Sequence, residues 1–250
     1  MIFLIFHSDN SHEDNTLQYL CSVNHQRRIL LVAATAVEME CFGLNAQWTA
    51  GFKEKVKGSG VDALITGVGI PATAFHLGCT LSLYSYDLVI NIGLAGSFSK
   101  DLVPVSLVEV ISDEFGDLGA EDHENYLDVF SLGFADKDEP PFKNGHLVPF
   151  PAEIEPLKIS KVRGTTVNTV HGNDHNITLF KRRSTAEIET MEGAAVFYAS
   201  NAMQIPSLQI RAISNYVEAR NRSAWNVAEA LQALTGFFEL HWKEITSAYS

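Results

Sequence analysis

A chain of 250 residues with 46% apolar and 19% charged content is long enough to bury the core of one sizeable α/β domain. Its 18 Lys and Arg stand against 30 Asp and Glu, net −12, so it lacks the basic face that nucleic-acid phosphates require, although a small anion held by one or two local cations stays open. Cys21, Cys41 and Cys79 are odd in number and far apart, which suits neither a disulfide framework nor a zinc site; buried or half-buried thiols in a reducing compartment are expected.

Residues 1–26 read as an N-terminal extension set apart from a single domain over 27–250. The apolar run Ile2 to Phe6 has no basic residue ahead of it and is far shorter than a membrane span, so a cytoplasmic protein without a membrane partner is expected. His7, His12 and His25 lack the close spacing of metal ligands, and no metal or other cofactor is expected. RRILLVAAT then opens the domain with a continuous apolar run, as in a strand buried on both faces. AVEMECFGL follows with no turn residue before Gly43, which predicts a short helix and leaves Glu38 at the carboxyl end of the strand.

Gly51, Gly58 and Gly60 punctuate a hairpin-like excursion over 47–60. VDALITGVGIPATAFHLGCTLSLY predicts a strand over Val61–Thr66, a GVG turn, and a helix opened by Pro71 and running to about Tyr84. GVGIPA lacks the third glycine of a dinucleotide fingerprint, and no acidic residue follows a second strand at the required distance. YDLVINIGLAGSF predicts a buried strand ending in glycines, with Gly93 and Gly96 able to bring backbone close to a ligand.

SLVEVISDEFGDLG begins as a strand and turns acidic. From Asp113 to Glu139 there are ten carboxylates and one lysine, the signature of a solvated excursion. Phe115, Tyr126, Phe130 and Phe134 are interleaved with them, which suits a lid or an interface. After the PPFKNG turn, VRGTTVNTV predicts a strand ending at HGNDHN, and ITLFKRRS a short helix with a basic end. MEGAAVFYASNAM predicts a helix whose Gly193, Ala194 and Ala195 allow close packing, and PSLQIRAISNY the last buried strand. Val227, Leu231, Leu234, Phe237, Phe238 and Trp242 form a helix-period stripe near the C-terminus. The alternation predicts a three-layer α/β/α domain around a central, mainly parallel or mixed sheet, in which ligands gather where strands end and helices begin.

Glu38, Glu192 and Asn215 all fall at such ends. A carboxylate there can take a proton from water, a second can accept from the paired hydroxyls of a ribose, and an amide offers donors and an acceptor to one edge of a flat heterocycle. Singly, each also has an ordinary reading: a solvent-facing carboxylate, a helix-terminus carboxylate favoured by the dipole, and an amide closing a strand.

The set ILLVAATAVEMECF, ITGVGIPATAFHLG, LVINIGLAGSF, TVNTV and TMEGAA…QIRAISNYV resembles the nucleoside phosphorylase and nucleosidase superfamily over about 28–247, close to the methylthioadenosine/S-adenosylhomocysteine nucleosidases. SDEFGDLGAED, TVNTVHG, MEGAAVFY and ISNYVEARNR…WN are most similar to a branch that hydrolyses hypoxanthine from a nucleoside with a benzoate tail, on a menaquinone route. The resemblance implies that Glu38 orients the attacking water, Met191 and Glu192 meet the ribose, and the Val170 backbone pairs with the purine edge. Ala95 and Gly96 would line the cleft through their backbones. It also implies a homodimer.

Three departures bear on substrate and nucleophile. Asn215 stands where the adenine-specific nucleosidases carry an Asp, and Leu94 where they commonly have Ser; an amide is no general acid but suits a 6-oxopurine. Asn91 occupies a position where the phosphorylases use an arginine for phosphate, which favours water as nucleophile. Arg220 and Arg222 are candidates for the tail carboxylate, His171 and His175 could line the base, and Trp225 could anchor the last helix. The rival expectations are an adenine-releasing nucleosidase, a purine nucleoside phosphorylase, and a nucleoside-binding protein without turnover.

Overall fold

The computed structural model describes residues 28–40, 51–56, 61–247 and 249; the expected N-terminal extension with its histidines, Cys21 and Cys41 lies outside them. Strand β1 (Ile29–Ala33) is apolar and buried at every position, as a strand covered on both faces must be. Thr35 then caps the one-turn helix α1 (Ala36–Met39), so the chain turns directly after the strand. Strand β2 (Phe52–Val56) pairs antiparallel with β3 (Val61–Ile65), so the second arm is the strand expected from Val61 and not part of 47–60. Pro71 lies in the first turn of α2 (Ile70–Leu83), where its missing N–H costs no bond.

Strands β4 (Leu88–Ser97) and β5 (Leu107–Ser112) follow, then the small hairpin β6 (Gly119–Asp122) and β7 (Asn125–Asp128). The remaining elements are β8 (Ser160–Thr166), α3 (Asp174–Arg183), β9 (Ile188–Thr190), α4 (Gly193–Ala202), β10 (Ser207–Tyr216) and α5 (Val227–Ser247). Eight strands form one mixed sheet in the order β10-β5-β8-β9-β4-β1-β3-β2, and β10 also pairs with β4. That second pairing closes β4, β9, β8, β5 and β10 into a ring, from which β1, β3 and β2 extend as a wing.

The closure rests on strand length. Leu88–Asn91 of β4 lie beside β1, whereas Gly96 and Ser97 lie beside β9, so one strand serves two neighbours in turn. For this reason β4 runs through Gly93 and Gly96 instead of ending at them. Strand β8 stops at Thr166, short of the expected TVNTV run: Val167 N–H makes the last bond to β9, at Thr190 O (3.0 Å), and Asn168 N–H turns away to the Asp117 carboxylate (2.6 Å).

Helices cover both faces. Leu234, Phe237, Phe238 and Ile245 of α5 pack with Leu31, Ile90 and Ile210, while Val227, Leu231 and Trp242 stay half-buried at the edge of the stripe. On the opposite face Leu77 and Leu81 of α2 and Val196 of α4 pack on Leu30, Val32 and Leu64.

Two expectations are corrected. Cys79 is exposed, because it falls off the α2 face that buries Thr73, Leu77, Thr80 and Leu81. Asp113, the first carboxylate of the acidic run, is fully buried, because it directly follows β5 and points under the start of α4 instead of into solvent.

Candidate active site

The carboxyl ends of β1, β4 and β10 meet at one corner, and the turn before α4 closes over it. Glu38 enters from α1 as half of a capping box. Its Oε2 accepts from Thr35 N (3.0 Å) and Thr35 Oγ1 (2.9 Å), which fixes the carboxylate on its own helix turn. Its Oε1 accepts from the Leu94 amide of β4 (3.2 Å). The group is thus held from two elements and almost wholly buried.

Glu192 is the N-cap residue of α4, yet its side chain does not cap that helix. It reaches the turn between β3 and α2 and accepts from Gly69 N at 2.9 Å. Burial holds its carboxyl above the usual range. The Arg211 guanidinium pulls it back down, the Glu38 carboxylate pushes it further up, and the amides of Gly69 and Met191 lower it. Glu38, Glu192 and Arg211 therefore share one electrostatic site.

Arg211 is the residue that sequence reasoning missed. It is among the largest fully buried side chains of the protein, with no exposed surface. Its Nε and Nη2 both donate to Gln209 Oε1 (3.1 and 2.9 Å), and Nη2 also donates to Asn91 Oδ1. Asn91 Nδ2 donates to Val32 O at 3.1 Å, so both ends of this amide are engaged inside the core. A side chain on Gly93 would begin 2.4 Å from Arg211 Nη1 and 2.6 Å from Glu38 Oε1, so glycine is what lets guanidinium and carboxylate converge there. The signal was present in LQIRAI, where Gln209 and Arg211 interrupt an apolar strand at alternate positions; a charge so placed must find partners.

Asn215 lies opposite Gly96, just past an irregularity in the β10–β4 register that displaces Ser214. Its Oδ1 accepts from Ser214 Oγ (2.7 Å) and its Nδ2 donates to Tyr216 O (2.9 Å), leaving one N–H and further acceptor capacity for a ligand. Ala95 O, 3.3 Å from Ser214 Oγ, is the alternative acceptor for that one hydroxyl hydrogen, and a side chain on Gly96 would strike Val217 at 2.9 Å, so Ala95, Gly96 and Asn215 form one packed edge. Val170 is half-buried in the loop after β8, and its backbone makes no hydrogen bond to the described residues. Met191 is half-buried next to Glu192.

The remaining expected residues stand further from this centre. His171 is bound through Nδ1 and its own N–H to Glu189 and packs against Phe98 and Phe180. His175 is exposed in the first turn of α3, where Asn173 caps its amide. Arg220 lies over the Trp225 ring with 5.5 Å from guanidinium carbon to ring centre, Arg222 opens a short 3₁₀ turn, and both are exposed. Neither pairs with a carboxylate among the described residues. No group of three His, Cys, Asp or Glu that could hold a metal ion exists among the described residues.

A cavity of about 460 Å³ opens elsewhere, between the acidic excursion and the end of α3, lined by Phe115, Tyr126, Phe130, Phe142 and Arg183 among others. None of the corner residues lines it. The convergence of buried ionisable groups, not this cavity, marks the candidate site.

The family model of the phosphorylase superfamily matches residues 27–239, and the chain belongs to that superfamily. Futalosine hydrolase of Streptomyces coelicolor (strain ATCC BAA-471 / A3(2) / M145) is 36% identical over 186 residues, 70% of this chain and 76% of that relative. Futalosine hydrolase of Acidothermus cellulolyticus (strain ATCC 43068 / DSM 8971 / 11B) is 31% identical over 188 residues, 71% of this chain and 73% of the relative. Within the superfamily the chain falls in the nucleosidase branch of N-glycosidic hydrolases, with the futalosine hydrolases. The native structure of futalosine hydrolase of Helicobacter pylori strain 26695 has the same fold, with a TM-score of 0.66 at 15% identity over 88% of this chain and 98% of that one.

Proposed function

We propose that this protein hydrolyses the N-glycosidic bond of futalosine, releasing hypoxanthine and leaving dehypoxanthine futalosine. The observation that carries the reading is the composition of the corner: two buried carboxylates, Glu38 and Glu192, around one guanidinium, with an amide at the end of β10. The similarity to two futalosine hydrolases supports the choice of substrate.

In this mechanism the bond from the sugar's anomeric carbon to the purine stretches and positive charge builds on the ribose. Glu192 accepts from the ribose hydroxyls and Glu38 takes the proton of the arriving water. Arg211 offsets the repulsion between the two carboxylates. Asn215 hydrogen-bonds the departing base; an amide cannot protonate it, which fits a 6-oxopurine that leaves readily as an anion. The Val170 backbone pairs with the purine edge, and Ala95, Gly96 and Met191 line the cleft. Most of the acceleration comes from positioning and electrostatics. Water is the nucleophile in this reading because Asn91, a buried neutral amide bonded to Arg211 and Val32, stands where the phosphorylases use an arginine and brings no charge to hold phosphate.

Arg220 and Arg222 are assigned to the benzoate carboxylate. A cytoplasmic homodimer accompanies the proposal; no described helix is long and apolar enough to cross a membrane, and exposed Phe134 gives the excursion an apolar contact. The test is to incubate the purified protein with futalosine, inosine and methylthioadenosine, with and without phosphate. Hypoxanthine release from futalosine, independent of phosphate, is expected. Preferred release of adenine, or a requirement for phosphate, would overturn the reading.

A further inference from the structure

Asp113 and Gln209 are buried, polar and outside the mechanism above. Gln209 presents Oε1 to two N–H groups of Arg211, and its Nε2 donates to Asp113 Oδ2 at 3.1 Å. An amide flip would turn an N–H₂ group toward the guanidinium, so the Asp113 carboxylate dictates which end of Gln209 faces Arg211. Asp113 Oδ1 accepts from Glu114 N (2.9 Å) and from Thr166 Oγ1 (3.0 Å), and that hydroxyl in turn accepts from Ala194 N at 2.8 Å. Ala194 lies in the first turn of α4, two residues after Glu192. A side chain on Gly193 would begin 2.1 Å from Gln209 Oε1 and 2.4 Å from Asp113 Oδ2, so this turn rests directly on the Asp–Gln pair.

One network therefore reaches both halves of the site: through Gln209 to the guanidinium, and through Thr166 to the turn that carries Glu192. We propose that Asp113 and Gln209 are positioning residues, which together fix the direction of the Arg211 guanidinium and its setting against Glu38 and Glu192. The proposal rests on the reading of that corner as the reaction site. Neither residue touches substrate; both act through Arg211.

The test is a double-mutant cycle with Gln209→Met and Arg211→Met, each variant first shown to be folded by near-ultraviolet circular dichroism. Gln209→Met alone should lower kcat about tenfold or more with KM within about twofold of the parent, because the interaction lost acts on the reacting groups and not on ground-state binding. In the Arg211→Met background the same change should cost almost nothing, since its target is already gone. Asp113→Asn, nearly isosteric, should show the same kcat-selective loss and supplies the answer if Gln209→Met fails to fold. Costs that add in the double variant, or full kcat in either folded single variant, would overturn the proposal. Rates are compared on whichever nucleoside the parent hydrolyses, so a wrong substrate assignment shows in the parent and a wrong positioning role shows in the cycle. A parent that turns over none of them overturns the reading of the corner, and with it the positioning role that rests on it.

Discussion

The corner at the ends of β1, β4 and β10 and the excursion that begins at Asp113 are both rich in carboxylates, yet they treat them in opposite ways. In the excursion the carboxylates are mostly exposed and hold the chain's own turns: Asp128 accepts from Ser131 N (2.7 Å), Asp136 from Asp138 N (2.9 Å) and Asp138 from Asn144 N (2.8 Å). At the corner Glu38 and Glu192 are buried, are each held by an amide of a different element, and share one guanidinium. A carboxylate in water costs nothing and does little. One withdrawn from water must be held by specific donors, and those same donors give it a fixed direction. Asp113 stands at the boundary: it begins the acidic run in sequence but belongs to the corner in space.

The largest effect that would sharpen this contrast comes from the corner carboxylates. Glu38→Gln and Glu192→Gln should each lower kcat by about a thousandfold, within the range for losing a positioned acid–base or charge-stabilising group. Both proteins should keep the parent's circular dichroism. Neutralising Asp136 in the excursion should leave steady-state rates unchanged.

Gly93→Ala is next. The new methyl group would enter the space between Arg211 Nη1 and Glu38 Oε1, so one of the two must move. A kcat loss of roughly a hundredfold is expected, the scale at which small misplacements of reacting groups are felt. Gly133→Ala, at a glycine of the excursion with open space around it but a left-handed backbone, should cost stability without affecting kcat.

A smaller effect concerns stability against pH. Burial raises the Asp113 carboxyl from 3.8 to about 7, against the pull of Gln209, Thr166, the Glu114 amide and Arg211. A carboxyl raised by folding keeps its proton in the native state after the unfolded chain has released it. Its contribution to stability is therefore greatest below the unfolded value and is lost as pH rises toward 7. Asp113→Asn should remove a few kcal/mol of that downward slope, at about 1.4 kcal/mol per unit, in urea titrations across this window. An unchanged slope would assign the pH dependence elsewhere. The smallest effect is expected from Arg220→Ala and Arg222→Ala, which should raise KM for a benzoate-tailed nucleoside by a few-fold and leave inosine untouched, as befits exposed charges.

Strands β1, β3, β4, β5, β8 and β10, the short helix after β1, Pro71 and the stripe of α5 were legible because each is written locally, in apolar runs, a first-turn proline and helical period. Glu38, Glu192 and Asn215 were legible as candidates because all three fall at element ends, where ligands gather in α/β sheets. Three features were not. Closure of the ring depends on β4 and β10 each pairing with several distant strands, and no local pattern records that. Asp113 was hidden by its neighbours, since nine further carboxylates within the run to Glu139 make the first look solvated. Arg211 and Gln209 sit inside an apolar strand, where one charged residue reads as an exception until its partners, Asn91 and Asp113, are brought to it from elsewhere in the chain.

The central claim is that water, guided by this corner, displaces a 6-oxopurine. The most direct measurement is a single incubation with futalosine in phosphate-free, heavy-oxygen water, with mass analysis of both products. The account predicts unlabelled hypoxanthine and a sugar product carrying one heavy oxygen atom. An unlabelled sugar product, or no cleavage until phosphate is added, would contradict it.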